Sequence, residues 1–163
     1  MTRRIVVIGP SGNGKSTLAR TLAVTLGWRF IEGDEHHPPA NIAKMARGEP
    51  LTDADRAPFL ESIGQALALS GPGAVASCSA LRRAYRDRLR DLAGPVWFVW
   101  PKLSREELLT RMTARRRHFM PPSLLDSQLA AFEPPARDES VVETDGSLPV
   151  LGQVAAVRGA LDL

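Results

Sequence analysis

The chain has 163 residues, 44% of them hydrophobic and 24% charged, with a formal charge of +3 and a single cysteine, Cys78. That length has room for one globular core and little else, and one cysteine excludes an internal disulfide and a cysteine-built zinc cage, leaving Cys78 as core packing. No uncharged apolar run reaches the ~18 residues of a membrane span, and Met1 leads through two arginines into a short strand-like run rather than a signal-peptide core, so a cytoplasmic location is expected.

Residues 4–8 (RIVVI) form a β-branched run that stops at a glycine-rich loop, and 15–26 continue as a helix with Leu18, Leu22 and Leu26 on one face. A second apolar piece, 28–31, ends in Glu32-Gly33-Asp34, and 38–47 suit a short helix begun by Pro38 and stopped by Gly48. Thr52 and Asp55 read as a capping signal for a helix that Pro58 restarts or kinks, with Phe59, Ile63 and Leu67 at four-residue spacing. The third strand is expected at 74–78, followed by a helix with Leu81, Tyr85, Leu89 and Leu92 on its core stripe. The fourth strand is expected at 96–100, and Ser104 with Glu107 makes a capping box for a helix carrying Leu108, Leu109 and Met112. A basic, irregular segment, 115–122, has the composition of a lid; a sixth helix is expected from Ser123, a fifth strand at 141–144 and a closing helix at 150–161. Strands alternating with helices imply an α/β fold with a parallel sheet covered on both faces.

The basic residues are mostly arginine, concentrated at 82–90 and 111–117. Without an aromatic-interleaved basic strand, zinc spacing or a helix-turn-helix pattern, nucleic acid is not the expected partner; arginine forks that grip phosphate or carboxylate are. Arg83, Arg88 and Arg90 individually read as ordinary surface charges.

Residues 9–16 read Gly9, Pro10, Ser11, Gly12, Asn13, Gly14, Lys15, Ser16, which fits the phosphate-binding pattern G-x-x-x-x-G-K-[ST] between a strand and a helix. Such a loop turns backbone amides inward at the positive end of a helix, with Lys15 on the outer phosphates and the Ser16 hydroxyl on Mg²⁺. Thr17 completes the ATP-binding set. A GTP switch is disfavoured: Asp91-Leu92-Ala93-Gly94 matches D-x-x-G, but nothing supplies the guanine motif. A motor ATPase would want a carboxylate ending strand three, where Cys78-Ser79-Ala80-Leu81 stands. The carboxylates sit after strand two instead, where the open edge of a parallel sheet places ligand-binding residues. Asp34 is placed to orient an acceptor hydroxyl and take its proton, and Glu32 to hold a water on Mg²⁺; the alternative for both is a turn that caps the next helix.

Together GPSGNGKS, EGDEHHPPANIAKMARGEPLTDADRAPFL, CSALRRAYRDRLR and RRRHFMPPSLLDSQLAAFEPP closely resemble the gluconate kinases over nearly the whole chain. The resemblance implies one P-loop kinase domain over 1–163, a three-layer sandwich with a five-stranded parallel sheet of the nucleoside-monophosphate-kinase kind. It implies an acceptor-binding helical segment at about 35–70 and a helical lid at about 112–135. The implied reaction moves the γ-phosphate of ATP, with Mg²⁺, to the 6-hydroxyl of D-gluconate, and the implied assembly is a homodimer. By position, Gly33, Asp34, His37 and Pro38 match the G-D-x-x-H-P element, and Asn41, Ile42, Lys44 and Met45 match N-I-x-K-M, all expected to line the sugar-acid pocket. Arg56 or Arg82 would meet the substrate carboxylate or a phosphate. Likeness to adenylate kinases puts Arg111 on the adenine and Arg115 on the phosphates, with His118 in the lid; the competing reading of Arg111 is an ion pair with Glu107, and the two roles are compatible. Two departures stand out: Glu32 where relatives have Asp, and Trp100-Pro101-Lys102-Leu103 after strand four, expected to lie away from the chemistry.

Overall fold

The structure is a computed structural model that describes residues 3–114 and 121–163. Among the described residues, β1 (Arg3–Val7), β2 (Arg29–Glu32), β3 (Gly73–Ser77), β4 (Trp97–Lys102) and β5 (Val141–Asp145) form one sheet in the order β2-β3-β1-β4-β5. Every pairing is parallel. The helices between them are α1 (Lys15–Leu26), α2 (Pro39–Ala46), α3 (Asp53–Ala68), α4 (Arg83–Ala93), α5 (Arg105–Ala114), α6 (Leu125–Ala131) and α7 (Val150–Leu161).

Alternation along β1 explains the layering. Ile5 and Val7 join Val75 and Val99 against Leu18 and Leu22 of α1 and Val154 and Val157 of α7. Val6 and Ile8 face the other way, onto Phe59, Ile63 and Leu67 of α3 and Leu89 of α4. Both faces of the central strand are therefore buried, as an unbroken apolar run requires. Chain order leaves β1 toward β3 on one side and toward β4 on the other, so the carboxyl end of β1 lies at a reversal of strand order, where α/β sheets open a crevice.

The expected caps form. Thr52 Oγ1 accepts from the Asp55 amide at 3.1 Å while the Asp55 carboxylate accepts from the Thr52 amide at 2.8 Å, and Ser104 and Glu107 repeat that exchange. Pro58 neither restarts nor breaks α3, which runs through it; it lies on the exposed side, where water can reach the carbonyl that loses its helical partner.

The interior also holds an ion pair. Arg86 is 0% exposed and Glu139 is 1% exposed. Arg86 Nε and Nη2 donate to the two carboxylate oxygens at 2.7 and 3.3 Å, and the guanidinium also donates to the carbonyls of Ala80 and Glu133, both at 2.9 Å. Arg90 Nη2 donates to the Glu139 carbonyl. Burial works against ionisation of Glu139, but the Arg86 guanidinium and the Ala136 amide outweigh it and hold the carboxyl below its usual range. The network joins the loop after β3, α4 and the segment that returns from α6 to β5. It also holds Ala80 at a φ of +39°, a conformation costly for a residue with a Cβ. Arg83 and Arg88 have ordinary surface partners, Asp138 and Glu61; Arg90 differs from the expectation, being half-buried over the Phe98 ring as well as paired with Asp87.

Arg86→Ala should destabilise the fold by about 3–5 kcal/mol, because it leaves a buried carboxylate unpaired. Urea unfolding measures this; a loss below ~1 kcal/mol would mean that Glu139 finds water or another partner.

Candidate active site

The phosphate-binding loop spans the turn from β1 to α1, and its shape follows from close contacts. Gly9 has a φ of +126°, and a Cβ there would lie 2.2 Å from Asn13 Nδ2. Asn13, 1% exposed, ties the loop shut: its Nδ2 donates to the Ile8 carbonyl at 2.9 Å and the Pro101 carbonyl at 3.4 Å, and its Oδ1 accepts from the Lys15 amide at 3.2 Å. The Gly9 amide donates to the Ser79 carbonyl at 3.0 Å, fixing the loop to the exit of β3. The stretch Trp100-Pro101-Lys102-Leu103, expected after the fourth strand, thus falls largely within β4 and does not lie away from the chemistry. Pro101 supports the loop directly, because the parallel neighbour of β1 must end beside it.

Glu32 and Asp34 leave β2 on a tight path. A Cβ on Gly33 would fall 1.9 Å from the Ser77 carbonyl, so β2 can approach β3 this closely only through glycine. Glu32 Oε1 accepts from Ser16 Oγ at 3.0 Å and from Ser77 Oγ at 2.6 Å. Ser77 Oγ in turn accepts from the Gly33 amide at 3.0 Å. The Ser16 hydroxyl and the Glu32 carboxylate therefore meet at the loop's edge, an all-oxygen pair of the kind that suits Mg²⁺.

Asp34, Lys15, Ser11, His37, Arg56, Ser79 and Gln128 converge on one narrow cleft. It adjoins a cavity of about 310 Å³, with which it shares Met45, Leu51, Arg56 and Gln128 and to which Arg82, Leu124 and Ser127 are added. Met45, Leu51 and Leu124 form a small buried cluster that gives this cavity an apolar floor. Arg56 is held rigidly, donating from Nη1 to the Leu51 carbonyl at 2.7 Å and to Tyr85 Oη at 3.2 Å. The Tyr85 hydroxyl donates to Asp53 in a short contact.

His37 stacks on Phe59 with ring centroids 3.8 Å apart and planes within 5°. Asn41 Nδ2 donates to the Asp55 carbonyl at 2.8 Å and approaches His37 Nδ1 at 3.4 Å, which assigns Nδ1 as the acceptor and leaves the proton on Nε2. Burial lowers the His37 pKa to about 4; nearby Asp34 opposes the shift, while Arg56 and Lys15 add to it. A neutral imidazole is the state near pH 7.

Other expected residues fall elsewhere. Lys44 pairs with Asp55 at 2.7 Å and is not among the residues lining the cleft or its cavity. That amine and the Thr52 amide hold the Asp55 carboxyl down to about 2. Asn41 is buried as the tie between α2 and α3 rather than as a lining residue. Arg111 donates to the Gly146 carbonyl at 3.0 Å and, with Gly14, Thr17 and residues 146–150, lines a separate cavity of about 400 Å³ on the far side of the loop. Arg115 and His118 lie outside the described residues. Ser11, a loop residue by its motif, and Tyr85, expected on a core stripe, carry these further contacts, and Gln128, whose amide touches the loop across 117 positions of chain, is a site residue that no local pattern marks. Its only sequence signal was membership in the block SLLDSQLAAFEPP.

Residues 5–135 match the family described as AAA domain. The chain is 52% identical over 147 residues to a gluconokinase of Gluconobacter oxydans, covering 88% of this chain and 83% of that one. It belongs to the gluconokinase family. A solved gluconokinase from Sinorhizobium meliloti superimposes with a TM-score of 0.88 at 46% identity, over 98% of this chain and 91% of the other. A sugar kinase from Janibacter gives 0.93 at 42%, over 99% and 95%. Membership accounts for the fold, an α/β P-loop kinase, and makes the chain a phosphotransferase. Among the described residues no helix is long and apolar enough to cross a membrane.

Because the unfolded chain protonates His37 near 6.5 and the folded one near 4, stability should be insensitive to this group above pH 6.5 and should fall as the pH drops from 6.5 toward 4. Proton NMR of the His37 ring should give a midpoint below 5; a midpoint near 6.5 would mean that the imidazole is open to solvent.

Proposed function

We propose that the protein transfers the γ-phosphoryl group of ATP to the 6-hydroxyl of D-gluconate, giving 6-phospho-D-gluconate. The observation that carries this reading is the convergence of Lys15, Asp34, His37 and Arg56 on one cleft beside the phosphate loop, opening into a cavity with one apolar wall and two arginines. A cavity of about 310 Å³ is at the small end of ligand sites, where a small metabolite belongs.

In this reading the amides of the loop and Lys15 hold the triphosphate, and Arg111 and Thr17 bound the space for the base. Ser16 would hold Mg²⁺, with Glu32 acting through a water, and the ion supplies charge neutralisation at the phosphate oxygens. Among the described residues there is no group of three or more His, Cys, Asp or Glu set to hold a metal. One or two protein oxygens completed by phosphates and water is the arrangement Mg²⁺ accepts.

Arg56, fixed by Leu51 and Tyr85, is presented to the sugar-acid carboxylate as a planar donor, and Arg82 stands at the outer wall. His37, neutral, offers its Nε2 proton to a sugar oxygen. Asp34 orients the 6-hydroxyl and accepts its proton as the new oxygen–phosphorus bond forms and the bond to the β-phosphate oxygen breaks. Residues 35–70 serve as the acceptor segment. Residues 112–135 serve as a lid, carrying Arg115 to the phosphates and His118 to the acceptor and keeping out water that would hydrolyse ATP.

A coupled assay of ADP release across gluconate, shikimate and related sugar acids should show stimulation greatest with gluconate; ATP binding with no stimulation by any acid would leave a silent nucleotide-binding module. Lys15→Ala should lower kcat/KM by a factor on the order of 10²–10³, and Asp34→Asn should lower kcat with the KM for ATP changed less than about threefold. Near-full turnover by Asp34→Asn would remove Asp34 from proton transfer.

A further inference from the structure

Gln128 sits on α6 with its side chain turned to the phosphate loop. Its Oε1 accepts from the Ser11 backbone amide at 2.8 Å, and its Nε2 donates to Ser11 Oγ at 3.2 Å. Ser11 is 2% exposed, and its one amide proton points at a side chain 117 positions away along the chain. The same side chain lines both the narrow cleft that holds Lys15 and Asp34 and the larger cavity beyond it. Its helix is tied to other parts of the site: Leu125 packs with Leu108 and Met112 of α5, and Leu124, just before α6, packs with Met45 and Leu51.

We propose that Gln128 is a positioning residue through which the nucleotide site and the acceptor cavity sense each other; the proposal rests on the kinase reading above. The Ser11 amide faces a cleft with Lys15, where negative charge is favoured. A hydrogen bond from an amide to a phosphoryl oxygen is charge-assisted and roughly twice as strong as one to a neutral carboxamide. A nucleotide therefore competes with Gln128 for the Ser11 amide. The displaced carboxamide still borders the acceptor cavity, where its NH₂ can donate to a hydroxyl of the sugar acid. Nucleotide binding thus readies the acceptor cavity, and by linkage the acceptor must favour nucleotide to the same degree.

The test is a binding cycle by calorimetry on the full chain, with gluconate and a non-hydrolysable ATP analogue, each alone and in the presence of the other, plus hydrogen exchange of residues 121–131. The variants are Gln128→Leu, which keeps the side-chain bulk without the hydrogen bonds, and Gln128→Glu, which keeps the acceptor and loses the donor. In the wild type the analogue should tighten gluconate binding about fivefold or more, at the lower end of ordinary coupling, and should change exchange in 121–131. In Gln128→Leu the ratio should fall toward one and the exchange change should vanish, and the analogue alone, with its competitor for the Ser11 amide removed, should bind at least as tightly as to the wild type. Gln128→Glu should weaken the analogue more than gluconate, by placing an anion beside the phosphates. Coupling that survives in Gln128→Leu, or a wild type with no coupling, overturns the proposal while the gluconate reading stands. If gluconate fails to bind the wild type while the nucleotide-dependent exchange in 121–131 still requires Gln128, the gluconate reading fails and the link stands. If neither appears, both fail. A Gln128→Leu protein that does not fold leaves the decision to Gln128→Glu, whose unchanged analogue affinity would count against the proposal.

Discussion

The structure depends on one constraint: the backbone between β1 and α1 must curl tightly enough to turn its amides toward an anion, and must be held in that curl from outside. The curl is possible because Gly9 has no side chain where Asn13 must lie, and it persists because Asn13, Ser79 and Pro101 occupy the loop's own hydrogen-bonding groups. Two of those supports come from the ends of β3 and β4, the parallel neighbours of β1. The sheet order thus does more than bury apolar surface. It sets the walls between which an anion-binding loop can stand.

The second strand obeys a related demand. Glu32 and Asp34 can reach the loop's edge only if β2 closes onto β3, and Gly33 with Ser77 is the contact that allows it. From there the site grows outward by successive fixing of polar groups. Glu32 gathers the hydroxyls of Ser16 and Ser77, Tyr85 and Leu51 fix Arg56, and Asn41 fixes the tautomer of His37. Such preorganisation matters for phosphoryl transfer, where the protein contributes mainly position and charge.

The buried Arg86–Glu139 pair has a comparable role at longer range. It lies away from the cleft yet holds Ala80 in a costly conformation one residue beyond Ser79, whose carbonyl anchors Gly9. A buried ion pair is poor evidence for stability by itself. Here its position ties the return from α6 to the wall of the phosphate loop.

Periodicity and local chemistry were enough to read the order of strands and helices, the two capping boxes and the phosphate loop, because each depends on residues within a few positions of one another. Composition could not separate Arg86 and the half-buried Arg90 from Arg83 and Arg88: they share one helix, and only packing against Glu139 decides which guanidinium groups turn inward. Lys44 was placed on the pocket by its motif, yet the fold brings Asp55 to it first. Gln128 carried no local signal, since its partner Ser11 lies 117 residues away. The sequence alone thus determined that a nucleotide loop stands at the head of an α/β sheet with acids after its second strand. Only the tertiary structure decided which of the many polar side chains face that loop, because contacts across the sheet's open end are set by how distant elements pack and not by any spacing along the chain.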